Sequence, residues 1–345
     1  MYYDILGNEI TAYDIMENPL KHNIKYKSIS GTYGLVGRWY KKIINDTEKD
    51  FTNTNGAEIY TLVSDASYVL VSLKMIGAYA DNFDKKHIAY SIDGEAPIRV
   101  PYTDGRIEIP DRNQHTLRII TDSSYQNGNT TSKWLGTYGW YIDSIVSDGT
   151  LNGIYPINKI GIFYGDSITE GINALGTNSL GEACSATSAF PYYCAESLGC
   201  IPYRCGYGGS GFTTNGSFKN FADAVKYVED GIEVSEFNPS FIFIYHGTND
   251  HTTLTHSVIA PAFDAISEKY GNVPVFVGVP YTWQSHRTAL KYECDVRSNF
   301  HLIETSGLVL DKTDSAHLSA VGAKTFGRYV ADEIIKVLGS YFFTT

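Results

Sequence analysis

Between about residues 38 and 146, apolar and polar positions alternate in short runs such as Glu58-Ile59-Tyr60-Thr61-Leu62-Val63 and Tyr68-Val69-Leu70-Val71-Ser72-Leu73. Similar runs follow at 87–92, 106–109 and 115–120, parted by the turn pairs Asp93-Gly94 and Asp104-Gly105. Runs rich in β-branched and aromatic residues and split by Asp-Gly predict hairpin-linked antiparallel strands. No long helical period interrupts them, so residues 38–150 are expected to form a β-sandwich of jelly-roll type. After Gly149 the rhythm becomes strand then helix. Strands are predicted at 159–164, 201–205, 241–245, 273–279 and 308–310. Helices are predicted at 189–198 behind a Ser188 N-cap, at 218–228, at 258–270, over part of 287–300, and at 319–338. This alternation implies an α/β domain over 151–345, its mainly parallel sheet covered by helices on both faces. Residues 1–37 follow neither rhythm and are expected to be an extension packing on either domain or on another chain.

A chain of 345 residues with 43% hydrophobic content can bury a core in each of two domains. Its net charge of -11 argues against nucleic acid or an anionic membrane as partner, because both need a basic surface. The 27 tyrosines offer flat apolar faces with polar tips, which suit sugars, protein interfaces and sandwich cores alike. No stretch approaches the roughly 20 apolar residues of a membrane helix. The start MYYDILGNEITAYD lacks a basic and then apolar leader, so no secretion signal is expected and the compartment stays open: cytoplasm, export by another route, or a virion. The five cysteines include no Cys-x-x-Cys pair; reduced thiols are expected, with a Cys194–Cys200 bridge as the alternative. His246, His251 and His256 recur every five residues, a spacing that does not align side chains on a helix, so no metal site and no cofactor are expected.

Candidate chemistry sits in four blocks of the second half. Gly165-Asp166-Ser167-Ile168 follows the apolar run 160–164, which places Ser167 at the carboxyl end of a strand, where open α/β sheets put their chemistry. Behind it come Gly208-Gly209-Ser210-Gly211, Gly247-Thr248-Asn249-Asp250 and Asp314-Ser315-Ala316-His317. An ester carbonyl needs an attacking oxygen, a base to take its proton, and donors aimed at the charge that develops on the carbonyl oxygen. Ser167 supplies the first and His317 the second, with Asp314 on the same short loop to fix the imidazole. The Ser167 N–H, a Gly211 N–H and the Asn249 amide would line the oxyanion hole, with Gly209 second to Gly211 and Gly208 also competing. Ser210, without a partnered motif, reads as structural. Trp283 and Tyr281, after the fourth strand, would stack on a sugar ring or else pack in the core.

The blocks GDSIT, GGSGFT, GTND and DSAHLS resemble the SGNH (GDSL-type) hydrolase superfamily, over roughly the second half of the chain. The resemblance implies a three-layer parallel sheet with Ser167 as nucleophile, Gly211 and Asn249 as oxyanion donors, and Asp314 and His317 completing the triad. The first half is similar to the jelly roll of family 2 carbohydrate esterases at 92–94, 115–117 and 136–142. That likeness implies a metal-independent esterase removing O-acetyl groups from carbohydrate. Two alternatives stand beside it: a carbohydrate-binding or assembly component that partners through the N-terminal region, and a lipase or thioesterase for longer acyl chains.

Overall fold

The computed structural model describes residues 2–3, 9–10, 31–77, 86–124, 132–156, 158–178, 181–235 and 237–343. Most of the expected N-terminal extension lies outside the described residues; Tyr2–Tyr3 and Glu9–Ile10 pair antiparallel. The sandwich is built from β1 (Gly34–Val36), β2 (Trp39–Ile44), β3 (Thr47–Thr52), β4 (Glu58–Ser64), β5 (Tyr68–Ile76), β6 (His87–Ile92), β7 (Ile98–Pro101), β8 (Arg106–Glu108), β9 (His115–Ser123), β10 (Gly139–Ser147) and β11 (Thr150–Gly153). One sheet runs β8-β5-β10-β3-β2 and the other β11-β4-β9-β6-β7, with β1 also on β4. β1 and β11 share one edge of β4 end to end, so pairing extends past both 38 and 150.

β5 shows the period of two directly: Val69, Val71, Leu73 and Met75 are buried, whereas Lys74 between them is exposed. β4 shows no such contrast, because both of its faces are covered. Ile59 and Val63 enter the sandwich core with Leu117, Ile119 and Trp140, while Tyr60 and Leu62 pack on Ile154 and Ile201 of the following domain. The β2–β3 hairpin escapes the sequence pattern; it turns through Asn45 and Asp46, both at positive φ.

The second domain is a five-stranded, all-parallel sheet of order β13-β12-β14-β15-β16, comprising β12 (Ile160–Gly165), β13 (Ile201–Gly206), β14 (Phe241–Tyr245), β15 (Val275–Gly278) and β16 (Phe300–Ile303). Helices α1 (Ser167–Glu170), α2 (Phe190–Leu198), α3 (Phe221–Lys226), α4 (His256–Tyr270), α5 (Arg287–Asp295) and α6 (Ala320–Leu338) complete it. Ile162, Tyr164, Ile242 and Ile244 pack on Phe221, Phe263 and Leu290 on one face. Phe163, Phe243 and Tyr245 meet Phe190, Phe326 and Val330 on the other. The molecule is thus a three-layer α/β domain preceded by an all-β sandwich.

Three boundaries differ from expectation. The fifth strand is Phe300–Ile303, not 308–310, where Leu308 and Leu310 pack on the core from a loop and Val309 is 93% exposed. Ser188 does not cap α2; the cap position is Ala189, with proline in the first turn, and the Ser188 N–H donates to Ser185 Oγ at 3.1 Å. α3 starts only at Phe221, capped by Asn220, and ends at Lys226, where the chain turns extended.

Candidate active site

β12 delivers the nucleophile candidate at its carboxyl end. Gly165 has to be glycine, since a Cβ there would lie 1.9 Å from Thr169 Oγ1. Asp166 then caps α1, its Oδ1 accepting the Ile168 N–H at 2.9 Å, and this starts the helix at Ser167. Asp166 is fully buried, and burial pushes its carboxyl up to about 6 despite the Ile168 N–H.

His317 arrives on the loop between β16 and α6. Thr313 N–H donates to the His317 carbonyl at 3.0 Å, closing that loop on itself, and Ser319 caps α6 directly behind it. Inside the loop, Asp314 Oδ1 accepts the backbone N–H groups of Ala316 and His317 at 2.8 and 2.7 Å. Its Oδ2 faces His317 Nδ1 at 2.8 Å and accepts the Asn173 amide at 2.9 Å. Partial burial disfavours the charge, but these donors outweigh it and hold Asp314 well below the usual carboxylate range. With Nδ1 donating to that carboxylate, Nε2 presents a lone pair, and it lies 2.8 Å from Ser167 Oγ. Sequence reasoning missed Asn173. It stands three residues beyond α1 and holds φ 57, a left-handed conformation that asparagine tolerates.

The oxyanion side differs from expectation at Gly211. Its N–H donates to the Thr214 carbonyl at 2.9 Å, which leaves it nothing to offer a substrate. Its lack of a side chain instead admits Asp250, whose carboxylate would lie 2.4 Å from a Cβ there. That carboxylate is buried and accepts the N–H groups of Phe212 and Thr213 at 2.8 and 2.9 Å, so it pins the loop. The Gly208 N–H goes to Glu170 Oε2 at 2.8 Å. Among the described residues the Gly209 and Ser167 N–H groups meet no acceptor, and Gly209 holds φ 78. Asn249 Nδ2 donates one proton to the Ser210 carbonyl at 2.9 Å, which fixes the side chain and leaves its second N–H available.

Tyr281 lies under the site. Its backbone N–H donates to Tyr245 Oη at 2.9 Å and its own hydroxyl donates to the Ala316 carbonyl at 2.6 Å, tethering the His317 loop to the core. Trp283 is half-buried, stacked on His286 at 5.7 Å beside the loop that carries Thr248 and Asn249. The three spaced histidines go separate ways: His246 is buried between Phe212 and Phe221, His251 is exposed near Trp283, and His256 opens α4. All five cysteines are free thiols. Among the described residues no cluster of three or more His, Cys, Asp or Glu could hold a metal ion, and no helix is long and apolar enough to cross a membrane.

No protein-family model and no curated protein sequence matches the chain. Solved structures do. A family two carbohydrate esterase from Clostridium thermocellum in complex with cellohexaose superposes with a TM-score of 0.70 at 16% identity, over 89% of this chain and 99% of that one. An acetyl xylan esterase from the rumen bacterium Butyrivibrio proteoclasticus gives 0.68 at 14%, over 93% and 98%. A salicylyl-acyltransferase from a tetracycline biosynthetic pathway gives 0.63 at 12%, over 91% and 98%. At such identities the likeness speaks for the fold: this chain has the SGNH-hydrolase fold behind an N-terminal sandwich, as the family two carbohydrate esterases it resembles do.

Proposed function

We propose that this chain is a serine esterase that removes small acyl groups, O-acetyl groups above all, from carbohydrate. The observation that carries the reading is the unbroken hydrogen-bonded line from Ser167 Oγ through His317 to Asp314, with 2.8 Å at each step. Ser167 Oγ attacks the acetyl carbonyl carbon while His317 Nε2 takes its proton, and Asp314 stabilises the resulting imidazolium. The tetrahedral oxyanion is met by the Ser167 N–H, the Gly209 N–H in place of the engaged Gly211, and the free Asn249 amide proton. Collapse breaks the bond to the sugar oxygen, which takes the proton from His317. Water then adds to the acyl-enzyme with His317 again as base, and acetate leaves. The carbohydrate part of the reading draws on the fold-level likeness and on Trp283, an aromatic ring whose neighbour Thr282 bonds Thr248 in the loop that carries Asn249.

The test is acetate release from a panel of acetylated polysaccharides and from nitrophenyl acetate, with chelator present throughout. Ser167→Ala and His317→Ala are each expected to lose at least about a thousandfold in kcat/KM. Substantial turnover by either variant sinks the assignment. Nitrophenyl esters of increasing chain length separate a deacetylase, whose rate falls beyond acetate, from a long-chain esterase.

A further inference from the structure

Resting on that esterase reading, we infer that the sandwich domain forms part of the catalytic apparatus: Lys133 and Asn55 hold Glu170, Glu170 holds Gly208, and this fixes the oxyanion turn. Glu170 is the last residue of α1, three positions after Ser167, and its side chain is fully buried, as is that of Lys133. One carboxylate oxygen pairs with Lys133 Nζ and accepts the Asn55 amide at 3.2 Å, from a residue 115 positions upstream. The other accepts the Gly208 N–H at 2.8 Å. A single carboxylate therefore ties the nucleophile helix, the sandwich and the peptide beside Gly209 together.

The surroundings fit a positioning role. Gly208 and Gly209 stand in succession and would wander without restraint, since glycine samples both signs of φ. The Gly208 carbonyl accepts the Ser217 N–H at 2.9 Å, and the Ser217 carbonyl in turn accepts the Lys133 N–H at 3.1 Å. The Asn53 amide donates to the Lys133 carbonyl at 2.8 Å and accepts from the Tyr207 hydroxyl at 3.2 Å. Tyr207 is thus held from the sandwich side directly by Asn53, and Gly208 through Ser217 and Glu170. Buried ion pairs are a poor source of net stability compared with apolar packing, so stability alone does not account for one at this place. Lys133 and Glu170 are positioning residues, acting through Gly208 on the neighbouring Gly209 N–H.

Two double variants of the full chain test this, both lacking the buried charges. Lys133→Met with Glu170→Gln keeps an acceptor for the Gly208 N–H; Lys133→Met with Glu170→Met removes it. The first loses the Lys133 hold but keeps that acceptor, and is expected to turn over nitrophenyl acetate with a clearly higher kcat than the second. The second is expected to lose on the order of 100-fold in kcat, the scale of one oxyanion donor, with KM little changed. Its affinity for a boronic acid that forms a tetrahedral adduct on Ser167 should fall in proportion. Equal kcat and equal boronate affinity in the two variants overturn the inference. Should near-ultraviolet circular dichroism show that the second is unfolded, Asn55→Leu takes its place, with a smaller loss in the same two readouts, and unchanged values overturn the inference equally. Ser167→Ala in the same assay keeps the two ideas apart: activity there removes the esterase reading, whereas an inactive Ser167→Ala beside indifferent double variants removes only this one.

Discussion

Asp314 accepts four hydrogen bonds on two oxygens, and they divide among three tasks. Two close the loop, one anchors it to Asn173, and one orients the imidazole. Its folded pKa lies below the unfolded value, so it contributes stability above about pH 4 that is lost as pH falls through the folded value. His246 acts at a higher pH. Burial lowers it to about 4, so between about pH 6.5 and that value the unfolded chain binds the proton and the folded chain does not. Stability therefore drops as pH falls through this window. Asp166 has the opposite sign, since its value is raised to about 6 and its contribution is lost as pH rises. Urea unfolding of wild type and His246→Leu, each near neutral pH and near pH 4.5, isolates the histidine. Wild type is expected to lose about 2 kcal/mol more on acidification than the variant; equal losses would rule out His246 as the source.

At the scale of elements, the loop between β16 and α6 is the piece on which the site depends, and Tyr281 is its tether. Tyr281→Phe keeps the ring packing on Tyr245 and Phe326 but deletes the donor to Ala316. The expected result is about 1 kcal/mol of lost stability and a several-fold drop in kcat, read by thermal unfolding and steady-state kinetics together. A stability loss with undiminished kcat would show that the loop holds without it. Elements were legible where one face is apolar and the other wet, as in β5 and α6. They were misread where burial is two-sided or contradicted by place: 308–310 looks like a strand, yet Val309 points into solvent, and the true strand carries the half-buried His301 and Leu302. A strand's apolar run does not say whether a sheet edge is there to receive it.

For the whole molecule, the junction between the halves is buried and mixes apolar clusters, such as Tyr60 and Leu62 on Ile201, with charged groups. Arg38 donates to the Ala224 carbonyl at 2.7 Å and to that of Tyr227, and its guanidinium lies over the rings of Tyr207 and Phe218. Asp122 accepts Arg99 Nε at 2.6 Å and the Thr187 N–H at 2.7 Å. Separating the halves would exchange the bonds from Arg38 and from Asp122 to Thr187 for water, a net loss of roughly 0.5–1.5 kcal/mol each, and would expose the apolar clusters beside them. Calorimetry is therefore expected to show one cooperative transition with matching van't Hoff and calorimetric enthalpies; two resolved peaks would mean that the sandwich melts independently.

The chain by itself determined the alternation that makes a sandwich and then a wound sheet, and the short blocks that present Ser167, Asn249, Asp314 and His317. Those features are local: a cap, a turn or a strand end is set by residues a few positions away. Only the tertiary structure decided that Gly211 gives its N–H to Thr214 while that of Gly209 meets no acceptor among the described residues. Asn173 on Asp314, and Lys133 and Asn55 on Glu170, were equally beyond reach of the sequence pattern. These choices depend on which acceptor arrives from a distant part of the chain, and a buried polar group must take whichever partner the packed halves bring to it.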